Sequence, residues 1–274
     1  MNGVLELSLA RHGGATRIER HYQRAPLHVY RPIYLDENLP EMAFVYVQQF
    51  GDGFVDGDRC RIDVACGPDA AVHLTTQAAT NLYRAERGVA GQVVNLDVAS
   101  GGILEYLPDA VVPFRGSRFV QHTRLTVAPT ATAIVGELLL PGRVARGELH
   151  EYELYRSETE ARRPDGTLLF ADVLCLSPGE SEGVHSPGLL GVRQVVATLY
   201  VVTGKSAADL VAVLREAPAG DGVLTGVSEL PGACGASVRL LGHTSKDVRA
   251  ALTASWQAAR RWLLGVPVPD LRKR

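Results

Sequence analysis

Across residues 59–66 the apolar side chains Cys60, Ile62, Val64 and Cys66 alternate with Arg59, Arg61, Asp63 and Ala65. A period of two predicts a β-strand with one buried face. The alternation recurs in "QVVNLDVAS" through Val94, Leu96 and Val98, and in "FVQHTRLTVAP" through Phe119, Gln121, Thr123, Leu125 and Val127. Each of these strands is followed by a turn and a second apolar stretch. Superposing "DVACGPDAAVHL", "DVASGGILEYL" and "TVAPTATAIVGELLL" puts Val64, Val98 and Val127 in one place, at roughly 30-residue spacing. Gly67-Pro68, Gly101-Gly102 and Pro129 mark the turns, where glycine supplies positive φ and proline fixes φ. A repeated strand–turn–strand unit predicts a mainly β fold of stacked β layers, solenoid-like or sandwich, with a continuous core.

Further strands are predicted in "HEYELYRSE", "TLLFADVLCL" and "VRQVVATLYVVT", after which the period changes. "KSAADLVAVLREAP" carries Leu210, Val213 and Leu214 at helical spacing, with Ser206 as N-cap and Pro218 beyond the end. "TSKDVRAALTASWQAARRWLLG" carries a stripe through Val248, Leu252, Ser255 or Trp256, Ala259 and Leu263; Ser245 caps it and Gly265 stops it. Arg260 and Arg261 in its last turns suit the negative end of the helix dipole. The expected organisation is one domain over 1–274, with β layers from about 14 to 203 and two helices, about 205–217 and 245–264, packed on them.

With 28 basic and 30 acidic residues among 274 the formal charge is −2, so no broad basic footprint for nucleic acid or an anionic membrane exists. No apolar run approaches the ~20 residues of a spanning helix, and the expected compartment is the cytosol. Cys60, Cys66, Cys175 and Cys234 are too scattered for a disulfide framework and read as reduced core residues.

Local motifs for chemistry are weak. Gly204-Lys205-Ser206 lies between a strand and a helix, but Leu199 stands where a phosphate-binding loop needs its first glycine, so helix capping is the better reading. "GDGFVDGD" offers Asp52, Asp56 and Asp58 in a glycine-rich turn without the spacing of an EF-hand. The histidines form no HxH, HExxH or HxxxH pair, and there is no G-x-S-x-G elbow. Glu105, Asp109 and Glu137, on or near the repeated strands, are the carboxylates available to an alternative function as a carbohydrate-active hydrolase.

The segment "LTTQAATNLYR" is polar yet unreactive, and it follows a run that reads as a buried strand. Together with Arg31-Pro32, "YVQQFGDGFVDGDRCRIDV", "LEYLPDAVVPF", "ELLLPGRVARGE" and "SVRLLGHTSKDVRAAL", it resembles the urease accessory proteins of the UreD (UreH) type over about Gly14 to Arg261. Asn81 stands where that family usually has lysine, the turn before "GDR" is poorer in glycine, and "ELLLPGR" compresses a longer run. The resemblance implies a non-enzyme that joins a helical accessory protein (UreF type) and a GTPase (UreG type) on apo-urease and helps deliver nickel. No cofactor is expected to bind tightly, nickel being in transit. A protein guiding an ion needs exchangeable oxygens rather than a tight cage. On that implication Asp56, Asp58, Glu105 and Glu137 are the expected charged ligands along a nickel path, and Thr75, Thr76 and Gln77 supply neutral oxygens or satisfy backbone groups. Glu137 sits in the apolar stretch "GELLLPG", and Arg143 or Arg146 is its expected ion-pair partner. Trp256 and Trp262 are the expected partner-interface residues on the outer face of the last helix.

Overall fold

The computed structural model describes residues 2–179 and 183–271, and these contain seventeen strands and two α-helices. In chain order they are β1 (Asn2–His12), β2 (Ala15–Arg24), β3 (Leu27–Val29), β4 (Ala43–Gln49), β5 (Arg59–Cys66), β6 (Ala71–Thr76), β7 (Thr80–Leu82), β8 (Ala90–Val98) and β9 (Ile103–Tyr106). Then come β10 (Val111–Pro113), β11 (Arg118–Val127), β12 (Thr132–Leu139), β13 (Leu154–Arg162), β14 (Leu168–Leu176), β15 (Val195–Val202), α1 (Ala207–Arg215), β16 (Leu224–Glu229), β17 (Gly235–Gly242) and α2 (Ser245–Leu264).

The repeated unit is a coil of a flattened solenoid. At each tight turn the chain crosses from one sheet to the other, from β5 to β6, β8 to β9 and β11 to β12. The first sheet has the order β14-β13-β11-β8-β5-β1-β2 and the second β16-β17-β15-β12-β9-β6-β4-β3, with β7 and β10 pairing beside it. Like strands of successive coils pair in parallel, and antiparallel partners such as β2 and β14 close the edges.

Register corrects the superposition of the repeats. Val98 and Val127 are paired, but the residue stacked beside Val98 in the first coil is Cys66, while Val64 pairs with Leu96. The shift is two residues, so every side chain keeps its face, and a two-residue error is invisible to a period-two pattern. In the true register Leu9, Cys66, Val98 and Val127 form one buried ladder and Leu7, Val64, Leu96 and Leu125 the next. Each fully buried aliphatic side chain contributes roughly 1.5–3 kcal/mol relative to exposure.

Both helices cover the outer face of the second sheet. Leu210, Leu214, Val248, Trp256 and Leu263 pack on Leu199, Val238 and Leu240. Ser206 caps α1 by accepting from the Asp209 N–H at 3.3 Å, as expected. For α2 the cap is Thr244, not Ser245: its Oγ1 accepts from the Asp247 N–H at 3.1 Å. Gly265 ends α2 in a left-handed conformation, φ 74°.

The β layers extend beyond the expected 14–203. The hairpin β1–β2 begins at Asn2, and β16 and β17 lie between the helices, completing the surface on which α2 rests. Leu5, Leu7 and Leu9 carry a plain period of two; Gly226 and flanking polar residues obscure the pattern in β16.

Candidate functional site

The space between the sheets is apolar at the stacked coils and turns polar toward β13, β14 and β17. On β11 and β13 the inward positions that would continue the apolar ladders are Gln121, Thr123, Ser157 and Thr159, all buried. Facing them from the second sheet is Glu137 on β12, which accepts hydrogen bonds from Tyr155 Oη and, at 2.9 Å, from Ser157 Oγ. Register continues this seam outward: Glu137 pairs with Thr198, and Thr198 with Arg239. Asp172 on β14 accepts from both Tyr200 Oη and Arg239. The Asp172 and Arg239 side chains are 27% and 44% exposed, so the seam reaches solvent at the open edge of the sheets.

Burial raises Glu137 above the usual carboxylate range, while the hydrogen bonds from Tyr155 and Ser157 favour its ionised form and oppose that rise. Burial, followed by the Glu137 charge, pushes the Tyr155 hydroxyl well above its ordinary value. The expected partners Arg143 and Arg146 are not used. Arg143 grips Glu148 instead and lies over the Phe114 ring at 4.1 Å. Glu137 points into the sandwich, whereas Arg143 belongs to the chain that leaves it.

Glu105 occupies the other face of the same sheet, under α2. Its Oε2 lies 2.8 Å from His73 Nδ1 and its Oε1 3.3 Å from Arg260 Nε. Arg260 also pairs with Asp36, and all four residues are buried. Arg260 therefore does not serve the helix dipole from the surface. It enters the core because α2 turns that position onto the sheet, where two carboxylates await it. His73 lies between the rings of Phe44 and Trp256, with centroids 5.0 and 5.3 Å away. Trp256 is buried by this stacking, which corrects its expected availability to a partner; Trp262 is half-buried beside Lys205.

The remaining expected residues lie near the loop ends of the coils. Asp56 accepts from the N–H groups of Glu86, Arg87 and Gly88 at 3.1, 2.9 and 2.8 Å, and these bonds, led by that from Arg87, hold it below the usual carboxylate range. Asp58 is buried and accepts from the Val55 N–H at 3.1 Å. Thr75 donates to the Leu107 carbonyl; Thr76 donates to the Ala78 carbonyl and accepts from the Asp109 N–H. Thr76 and Gln77 also line a cavity of about 130 Å³ with Gln49, Asp52, Asn81 and Gln92. "TTQAAT" thus ends a strand, satisfies the next coil's backbone and opens on a small cavity of mixed polar and apolar lining.

Because the folded Asp56 titrates below its unfolded value, its stabilisation is present above the unfolded value and lost as pH falls through the folded one. Asp56→Asn is expected to lower the melting temperature at neutral pH and to lower it less at pH 3, where part of that stabilisation is gone. Equal losses at both pH values would show that the carboxylate charge is not what holds the 86–88 turn.

Asp56 and Asp58 share one turn, but Glu105 and Glu137 project from opposite faces of the second sheet, and Asp109 is paired with Arg249 at 2.7 Å. Glu105 and Glu137 therefore cannot flank one glycosidic bond as hydrolysis requires. His122, Glu158 and Glu160 bring ligand atoms within 4.8 Å of one another on the outer face of the first sheet. Arg156 and Arg162 already hold the two carboxylates, and Arg124 contacts His122 and Glu160, so this cluster is a cross-strand ion-pair lattice that repels a cation.

The profile described as UreD urease accessory protein matches residues 1–274. The chain belongs to the UreD family. A urease accessory protein UreD 2 of Streptomyces griseus is 46% identical over 273 residues, covering 99% of this chain and 93% of the relative. Relatives named urease accessory protein UreD in Haloarcula marismortui and Photorhabdus laumondii are 35% and 34% identical, covering 99% and 98% of this chain and 90% and 85% of their own lengths. A role in urease maturation follows from that membership. Among the described residues no helix is long and apolar enough to cross a membrane. His73, Tyr155, Ser157, Asp172, Tyr200 and Arg239 were not read from the UreD-like sequence; the signal for Ser157 was a polar residue at an inward position of an alternating strand.

Proposed function

We propose that this UreD-family chain is a non-catalytic scaffold, acting in the cytoplasm, of a complex that inserts nickel into apo-urease. Its partners on this reading are a helical accessory protein of the UreF type, a GTPase of the UreG type and apo-urease itself. The observation that carries the reading is the buried carboxylate of Glu137, set among hydroxyl groups in a seam whose register runs through Thr198 to Arg239, where Tyr200, Asp172 and Arg239 are bonded together at the open edge. Its oxygens are hard donors, which hold a borderline cation such as nickel weakly and exchange readily. Burial keeps the Cys60 and Cys66 thiols protonated in the folded chain, pushing them up to about 11 and about 12.

The reading predicts weak nickel binding by the isolated chain, with a dissociation constant in the micromolar range or above. Titration calorimetry of the purified protein checks this, and a sub-nanomolar site would overturn it. On this reading the helical partner binds α2 at the exposed part of Trp262, whose other part packs on the core beneath the helix. Deleting residues 244–274 would uncover the second sheet, so the interface is better tested by Trp262→Ala. That variant should reduce co-purification with the UreF-type partner while the chain stays folded; an unchanged complex moves the interface elsewhere.

A further inference from the structure

The outer face of the first sheet carries a groove of about 860 Å³, at the end where β1, β5, β8 and β11 begin. Its charge is one-sided. Arg24, Arg59, Arg61 and Arg124 line it, and no carboxylate among the described residues does, although the whole chain has a formal charge of −2. Register explains the arrangement. Arg24, Val4, Arg61 and Val93 lie side by side across four strands, and Arg59, Gly91 and Val120 form the neighbouring row. Gly91 gives the groove its depth, since a Cβ there would stand 3.6 Å from Arg59 Cδ and 3.3 Å from the Val120 carbonyl oxygen. Val4, Val93 and Val120 are half-buried and form an apolar floor beneath the guanidinium groups.

The guanidinium groups are tethered rather than loose. Arg24 Nε donates to the Asn2 carbonyl at 2.8 Å and Arg59 Nη1 to the Asp58 carbonyl at 2.9 Å, bonds that fix orientation without neutralising charge. Arg61 is engaged by Glu6 and Asp63, and Arg124 by Glu160, at the groove's rim, which leaves Arg24 and Arg59 as its cations without a carboxylate among the described residues. Two oriented cations with spare donors, above an apolar strip on a rigid sheet, match an extended chain whose side chains alternate between acidic and apolar. Fork-shaped guanidinium groups bind carboxylates in pairs of hydrogen bonds, and successive side chains of an extended peptide alternate in direction.

We propose that this groove is a docking site for an acidic, extended segment of a partner protein, with Arg24 and Arg59 as its charge anchors. The site lies on the face opposite the helices and is independent of any nickel path through Glu137. It stands or falls separately from the nickel-delivery reading.

The probe is a fluorescent, end-blocked octapeptide of alternating glutamate and leucine, titrated by anisotropy against the full-length protein at low and physiological salt. Wild-type protein is expected to bind it, more weakly as salt rises. The double variant Arg24→Glu/Arg59→Glu is expected to lose affinity by at least about tenfold. Arg17→Glu/Arg20→Glu, on the exposed β2, changes net charge equally and should bind almost as wild type does. Equal losses in the two double variants would reduce the effect to bulk charge and overturn the proposal. So would a tighter grip on inorganic tripolyphosphate than on the peptide, which would make the groove a phosphate site. Self-association that the groove variant abolishes would make the occupant a second copy and overturn it too.

Discussion

Arg260→Ala is expected to destabilise the protein by about 3–5 kcal/mol, a large share of the roughly 5–15 kcal/mol that holds a domain folded. The arginine is fully buried between α2 and the second sheet, where it pairs with Asp36 and Glu105. Removing it leaves two carboxylates in a space that water does not reach, and the cost of an uncompensated buried charge exceeds that of the lost contact. Alanine also withdraws the guanidinium from beside Trp256. Neutralising the whole cluster should therefore recover most of the loss. Arg260→Met combined with Asp36→Asn and Glu105→Gln keeps comparable volume without any ion to desolvate, whereas Arg260→Met alone stays damaged. Urea unfolding of the three variants beside the wild type measures this. A loss below about 1 kcal/mol for Arg260→Ala, within the range of a surface ion pair, would show that the cluster does not hold α2 in place.

How much of this was legible in the chain depends on which periodicity each residue obeyed. Val64, Val98 and Val127 disclosed the coils because sheet faces impose a period of two. The same residues could not disclose the register, because a shift of two leaves every face unchanged. Helix ends were read closely through Ser206 and Gly265, where local backbone chemistry decides, although at α2 the cap fell one residue earlier, on Thr244. Arg260 was misplaced because a charged residue in a last helical turn ordinarily faces solvent. Only the sheet beneath, with Glu105 on β9 and Asp36 far away in sequence, makes it a core residue. For Glu137 the need for a partner was legible from its apolar neighbours, but the partner was not. Tyr155 and Ser157 lie across the sandwich on another coil, and sequence distance carries no information about what faces what between two sheets. Trp256 followed the same rule: its stripe position fitted a helix packed on a sheet, and the sheet claimed it.

Glu137→Gln is expected to leave the protein folded and assembled with its partners while slowing nickel gain by urease at least about tenfold, equivalent to ~1.4 kcal/mol. Glutamine preserves the shape and a carbonyl acceptor for one of the two hydroxyls, Tyr155 or Ser157, turns its NH2 toward the other, which then accepts, and removes the charge. The folded carboxyl titrates above its unfolded value of about 4.3, so its contribution to stability is fully present below that value and is lost as pH rises through the folded one. Toward neutral pH the wild type therefore loses stability relative to its acid form, a loss that the variant does not share. Glu137→Gln should match or exceed wild-type melting temperature at pH 7, fall behind it only in acid, and show a flatter dependence on pH between the two. Such a result would separate transport from stability: a stable variant in an intact complex with nickel-poor urease places the defect in the ion's passage. If the variant melts lower at pH 7, Glu137 is a structural anion and the loss of activation should track the loss of folded protein. A normally assembled complex that activates urease at the wild-type rate would remove Glu137 from the path altogether.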